Sequence, residues 1–176
     1  DSNRANNADP QNDNHLAVYQ SQQQSGRYNN RYFAGRRESA SSYTLCGTGY
    51  FNKSAAGPQF GDPIGLGLHA VNRSSESEFT YVNASGTPQT VSETSVEVTS
   101  VNNFLLWTYQ NPQFTDARLA FYSIGTSLDL ASLDARATAL VQRIQLSLST
   151  GLDASGYDDA TVAYLLAAYN NGATLE

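Results

Sequence analysis

The stretch Asp116-Ala-Arg-Leu-Ala-Phe-Tyr-Ser-Ile-Gly-Thr-Ser-Leu-Asp-Leu-Ala-Ser-Leu-Asp-Ala-Arg136 changes its periodicity partway through, and that change decides the fold class. Its first part, Ala117–Ile124, reads as a strand. Leu119 and Phe121 oppose Ala120, Tyr122 and Ile124, so both faces carry apolar side chains, and such a strand is expected at the centre of its layer. From Ser127 onward the apolar residues recur at steps of three and four. Leu130, Leu133, Ala137, Leu140, Val141, Ile144 and Leu148 form one stripe of an amphipathic helix spanning about residues 128–149. Ser127 or Asp129 can cap it, Asp134, Arg136 and Thr138 lie off the stripe, and Gly151 can stop it.

Upstream of this switch the chain repeats one pattern, short β-prone runs punctuated by Gly, Ser, Asn or Pro. After His15–Tyr19 the runs are Arg31–Arg36, Ser42–Phe51, Ile64–Val71, Glu78–Asn83, Gln89–Glu93, Val96–Val101 and Phe104–Tyr109. Many short strands with no helical pattern between them point to a mainly β fold, an antiparallel β-sandwich or jelly roll. Downstream, Asp158–Tyr169 reads as a second, shorter helix with acids at its start and Gly172 past its end. The expected organisation is a β-sandwich module over 1–126 and a helical segment of two helices over 127–176.

Composition narrows the function. The chain has 176 residues, 40% of them apolar, and a net charge of −6. Its densest basic spot, Arg36-Arg37, is followed directly by Glu38, so nucleic acid is not an expected partner. No run approaches the roughly 20 apolar residues of a membrane span. The single cysteine, Cys46, reads as a small hydrophobe in a strand. The chain opens on Asp1 and contains no methionine, which reads as a piece of a longer polypeptide.

Few residues could carry chemistry. His15 and His69 each sit in a strand-like run without a second histidine at metal-ligand spacing, and read as half-exposed structural residues. A glycan hydrolase needs two carboxylates on one face, about 5–9 Å apart. Glu76 with Glu78, and Glu93 with Glu97, have the required parity, but the first pair falls in a turn-like Ser-Ser-Glu-Ser-Glu and the second spans a strand break. Asp1, Asn3, Asp9 and Asp13 offer oxygen ligands of the kind calcium takes, without the glycine and closing glutamate of a calcium loop, so no cofactor is expected. Trp107 and Tyr109, among 11 tyrosines and a single tryptophan, are the residues that could stack on a sugar ring, although such aromatics also fill sandwich cores. The sequons at Asn52, Asn72 and Asn83 matter only in a eukaryotic secretory setting.

The stretch quoted first, together with Asp1–Tyr19, resembles concanavalin-like (laminin-G-like) modules in the structural proteins of marine and environmental bacteriophages, and residues 156–176 are similar to the helical segment beside such modules. Residues 20–110 share only the strand-and-turn style. The resemblance implies a lectin-like jelly roll in a virion appendage, with other virion proteins or host-surface glycans as partners, and no catalytic set. It also places sandwich strands before the segment matching Asp1.

The expected function is therefore that of a bacteriophage virion structural protein: a tail-fibre, appendage or capsid-surface module located on the particle. A carbohydrate-binding module of a secreted bacterial protein is the alternative, and a glycan hydrolase of the same fold stands behind both. Leu133, Leu140 and Ile144 must cover something, because a free amphipathic helix of this length is marginal in water. Val162, Leu165, Leu166 and Tyr169 on the second helix have no partner evident in the sequence. These residues are the expected interface of a homo-oligomer.

Overall fold

The computed structural model describes residues 10–22, 32–37, 42–46, 49–58, 65–84, 86–96, 105–106 and 117–171. The strands are β1 (Asn14–Gln22), β2 (Tyr32–Arg37), β3 (Ser42–Cys46), β4 (Gly49–Ser54), β5 (Gly67–Arg73), β6 (Phe79–Asn83), β7 (Gln89–Val91), β8 (Leu105–Leu106) and β9 (Arg118–Gly125). Helices α1 (Leu130–Thr150) and α2 (Asp159–Asn170) follow, with a short 3-10 turn, Ala154–Gly156, between them. The run Ser42–Phe51 is thus two strands, β3 and β4, rather than one. Cys46 pairs with Gly49 in antiparallel register, so the glycines in Cys46-Gly-Thr-Gly49 mark a break that the single run Ser42–Phe51 passed over. Val96 lies outside any strand, and the rest of the run expected over 96–101 is outside the described residues.

Two antiparallel sheets result, in the orders β7-β6-β5-β1-β9 and β4-β3-β2-β8, and neither closes on itself. Leu16, Val18, Val71, Phe79 and Tyr81 of the five-stranded sheet share one buried cluster with Phe33, Ala34 and Tyr50 of the four-stranded sheet. The strand alternation sends Ala17, Leu68, Ala70 and Val82 to the opposite face, where Leu130 and Ala137 of α1 cover them. The five-stranded sheet is therefore the middle layer, with a sheet on one face and a helix on the other. This architecture, mainly β with two C-terminal helices, is consistent with a β-sandwich.

The middle layer corrects the expectation for β9. Apolar on both faces, it stands at the sheet edge beside β1, not at the centre. Its two-sided pattern reflects the layers above and below the sheet. A bulge adds a second irregularity: Tyr19 pairs with Phe121 and Gln20 with Leu119, so Ala120 is the extra residue. Leu119 and Phe121, two apart in sequence, consequently pack on opposite faces, Leu119 in the layer between the sheets and Phe121 under α1.

Asp129 caps α1, its carboxylate accepting from the Ala131 amide at 3.0 Å, and Gly151 ends it in the left-handed conformation (φ 74). Asp158 caps α2 by accepting from the Thr161 amide at 2.8 Å. The connection from β9 into α1 is tied down by three residues of the middle sheet and its lead-in. Asp13 accepts from the Ser127 amide (2.8 Å) and hydroxyl (2.5 Å), and Asn72 accepts from the Leu128 amide (2.7 Å). His15 stands within 2.6 Å of the Thr126 carbonyl.

Candidate docking face and the buried polar centres

The buried cations and histidines are held by partners from the fold, whereas the Asn52 side chain, 0% exposed, has no hydrogen-bond partner for either of its polar atoms. Arg73, 0% exposed, ends β5 with its guanidinium inside the protein. Its Nε and Nη2 donate to the Asn52 carbonyl at 3.1 and 3.0 Å, and Nη2 also reaches the Glu93 carbonyl at 3.0 Å. Nη1 donates to the carbonyls of Ser75, Glu76 and Glu78 at 3.2, 2.9 and 3.1 Å, and the group sits 5.4 Å from the Phe79 ring centre. Burial opposes the charge and the nearby Glu93 supports it. A cation held by backbone carbonyls from β4, from the 74–78 turn and from the segment after β7 is a staple for those loops.

Lys53 is the extra residue of a second bulge, between the pairs Ser42–Ser54 and Tyr43–Asn52, and adopts a left-handed backbone (φ 49). The bulge turns its ammonium inward, where Nζ donates to the Pro10 carbonyl at 2.9 Å.

His15 and His69 are both buried, 5% and 0% exposed, and not half-exposed as their strand setting implied. The Gly65 carbonyl can only accept, so His69 Nε2 carries the proton and donates to it at 2.8 Å. His69 Nδ1 then accepts from the Tyr50 hydroxyl, and Tyr50 in turn meets Tyr81 edge to face at 5.9 Å. Burial lowers the His69 pKa to about 4, which keeps the ring neutral. By the same logic His15 Nδ1 donates to Thr126, and Nε2 accepts from the Ser123 hydroxyl at 2.7 Å. Burial lowers its pKa as well, with the Thr126 bond acting in the opposite sense. These histidines lock strands and junctions, with no ring nitrogen left over for a ligand.

Glu76 and Glu78 are exposed on the 74–78 turn, and only their backbone carbonyls face the Arg73 centre. Glu93 is half-buried outside any strand, and Glu97, its partner by parity, lies outside the described residues. Trp107 and Tyr109 also lie outside them, as do Asp1, Asn3 and Asp9. Asp13 is engaged with Ser127. Among the described residues no group of three or more His, Cys, Asp or Glu side chains is placed to hold a metal. Among those same residues no helix is long and apolar enough to cross a membrane. The Asn52 and Asn72 side chains are buried, so those sequons are closed in the folded chain.

The surface feature that stands out is the outer side of α1. The stripe read from the sequence divides. Leu130, Ala137 and Val141 are buried, and Leu133 packs on the middle sheet, whereas Leu140, Ile144 and Leu148 are 49%, 48% and 82% exposed. Leu146, which the three-four spacing passed over, is fully buried with Ala154 and Val162, and Leu165 and Leu166 pack at the edge of that cluster. The cover for Val162 thus comes from α1 of the same chain. Arg143 fastens the two helices, donating to the Ala154 carbonyl at 2.7 Å and pairing with Asp159 at 2.6 Å. Tyr169 remains 38% exposed.

Two grooves flank the exposed row. One, of about 350 Å³, opens between Ser21 and Arg118 at the sheet edge and Val141, Ile144 and Leu148 on α1. The other, of about 430 Å³, runs from Gln145 and Leu148 across to Leu166 and Asn170 on α2. Gln145 and Leu148 line both, so the two make one trough with Leu148 as its ridge. Sequence periodicity pointed to this helix, while the split of its stripe into covered and bare halves depends on where the sheet ends. No protein-family model, curated protein or solved structure matches this chain.

Proposed function

We propose that this chain is a non-catalytic structural module of a bacteriophage virion, part of a tail fibre, appendage or capsid surface, with the two sheets forming a concanavalin-like jelly roll. The observation that carries the reading is the apolar row Leu140, Ile144 and Leu148, left bare along a trough on α1. A sizeable exposed apolar patch on a folded domain marks a surface that another protein covers. The buried histidines and Arg73 are bound to backbone and hydroxyl partners of the fold. The two terminal stretches resemble phage structural modules, which supplies the virion setting and the other virion proteins as partners. Mass spectrometry of purified particles tests it: peptides of this chain in intact virions are the expected result, and their absence from particles of a phage that encodes it sinks the reading. Screening the chain on a glycan array tests host-surface glycans as an additional ligand.

A further inference from the structure

We propose that Asn171, at the close of α2, is a site of spontaneous covalent modification, deamidating through a cyclic imide formed with Gly172, while the adjoining Asn170 stays intact. Asn171-Gly172 is the single Asn-Gly step in the chain. The reaction needs the amide nitrogen of the following residue to reach the carbonyl carbon of the asparagine side chain. Glycine, without a Cβ, obstructs that approach least and leaves the backbone most free to make it.

The structure separates the two neighbouring asparagines by that nitrogen. Both are exposed, so access to water does not distinguish them. For Asn170 the attacking group would be the Asn171 amide. That N–H is engaged at the end of α2, donating to the Ala167 and Ala168 carbonyls at 3.1 and 3.2 Å. Asn171 lies one residue past the helix, as its cap, and its attacking nitrogen belongs to Gly172. No hydrogen bond holds the Asn171 side chain in place. Asn14, Asn52 and Asn72 are buried within strands, where the ladder fixes the backbone and water is kept from the side chain.

The atoms balance. Gly172 N bonds to Asn171 Cγ and gives up its proton, the Cγ–Nδ2 bond breaks, and ammonia leaves. Water then adds to one of the two imide carbonyls, opening the ring to an ordinary aspartyl or a β-linked isoaspartyl residue. Nothing is oxidised or reduced. The product adds a negative charge to a chain that already carries −6, and places it at the negative end of the α2 dipole.

The test is incubation of the folded whole chain in mildly alkaline buffer, followed by isoelectric focusing and by peptide mapping with fragmentation that assigns each asparagine. The intact chain should shift to a more acidic band. The peptide holding Asn171 should gain the mass difference between an amide and an acid and elute as two new forms, with Asn170 unchanged. Gly172→Val should lose the conversion and keep the wild-type circular dichroism. An Asn171 that stays intact overturns the proposal, and so does conversion of Asn170 at a comparable rate or undiminished conversion in Gly172→Val.

Discussion

The space between the sheets and the outer side of α1 are built on opposite plans. The interior holds an arginine, a lysine and a neutral histidine, 0%, 2% and 0% exposed, while the helix surface shows three bare aliphatic side chains. The difference teaches that burial follows the supply of partners more than side-chain type. Inside, five backbone carbonyls converge on Arg73, and Pro10 and Gly65 offer carbonyls to Lys53 and His69. Outside, the middle sheet ends at β9, and the second half of α1 runs past what could cover it. The buried cations and His69 are satisfied by this chain, while the aliphatic row on α1 stays bare.

The strongest way to break the contrast is to remove the interior cation. Arg73→Ala leaves its carbonyl acceptors buried without a donor and should cost about 3–5 kcal/mol, read by urea unfolding. A loss within experimental error would show that those carbonyls reach water.

Acid probes the neutral histidine. Because the folded chain holds His69 near pKa 4 against an ordinary 6.5, the unfolded chain binds more protons between those values. Stability is then full above pH 6.5, falls as the pH drops towards 4, and levels off below, a span of about 3 kcal/mol. In His69→Gln this slope should shrink without vanishing, since His15 is lowered too. An unchanged slope would remove His69 from the account.

The helix itself supplies the sharpest pair. Leu146→Ala should cost roughly 2–3 kcal/mol by opening a cavity against Ala154 and Val162. Leu148→Ala, two residues on, should stay within about 0.5 kcal/mol in the monomer, as surface changes do. Equal effects at both positions would mean that the bare row is covered within the chain.

The smallest effect lies at the helix start. Asp129→Ala removes the cap on the Ala131 amide and the bond to the Ser132 hydroxyl, and should lower the thermal midpoint less than either Arg73→Ala or Leu146→Ala. Its carboxyl is held below the usual range chiefly by the Ser132 bond, so the contribution fades in acid as that group protonates.

The sequence alone determined a run of short strands followed by two helices, the switch of period after β9, the acids at the start of α2 and the stop at Gly151, while it merged β3 with β4 and left Ser127 and Asp129 as alternative caps of α1. The features it determined depend on local backbone chemistry that neighbouring residues express directly. Only the tertiary structure decided that β9 is an edge strand, because a two-sided apolar pattern looks the same whether a strand is central or merely covered from both sides. The bulge at Ala120 sent Leu119 and Phe121 to opposite faces, and strand pairing, not alternation, fixed that. Arg73 and His69 gave no local sign of burial, since their hydrogen-bond partners, apart from the Tyr50 hydroxyl, are backbone carbonyls, which any residue can provide, and Asn52, Glu93 and Tyr50 are distant in sequence. The division of the α1 stripe was equally hidden: periodicity selects a helix face, but where the sheet beneath it ends depends on strand order, which leaves Leu148 bare and Leu146 buried.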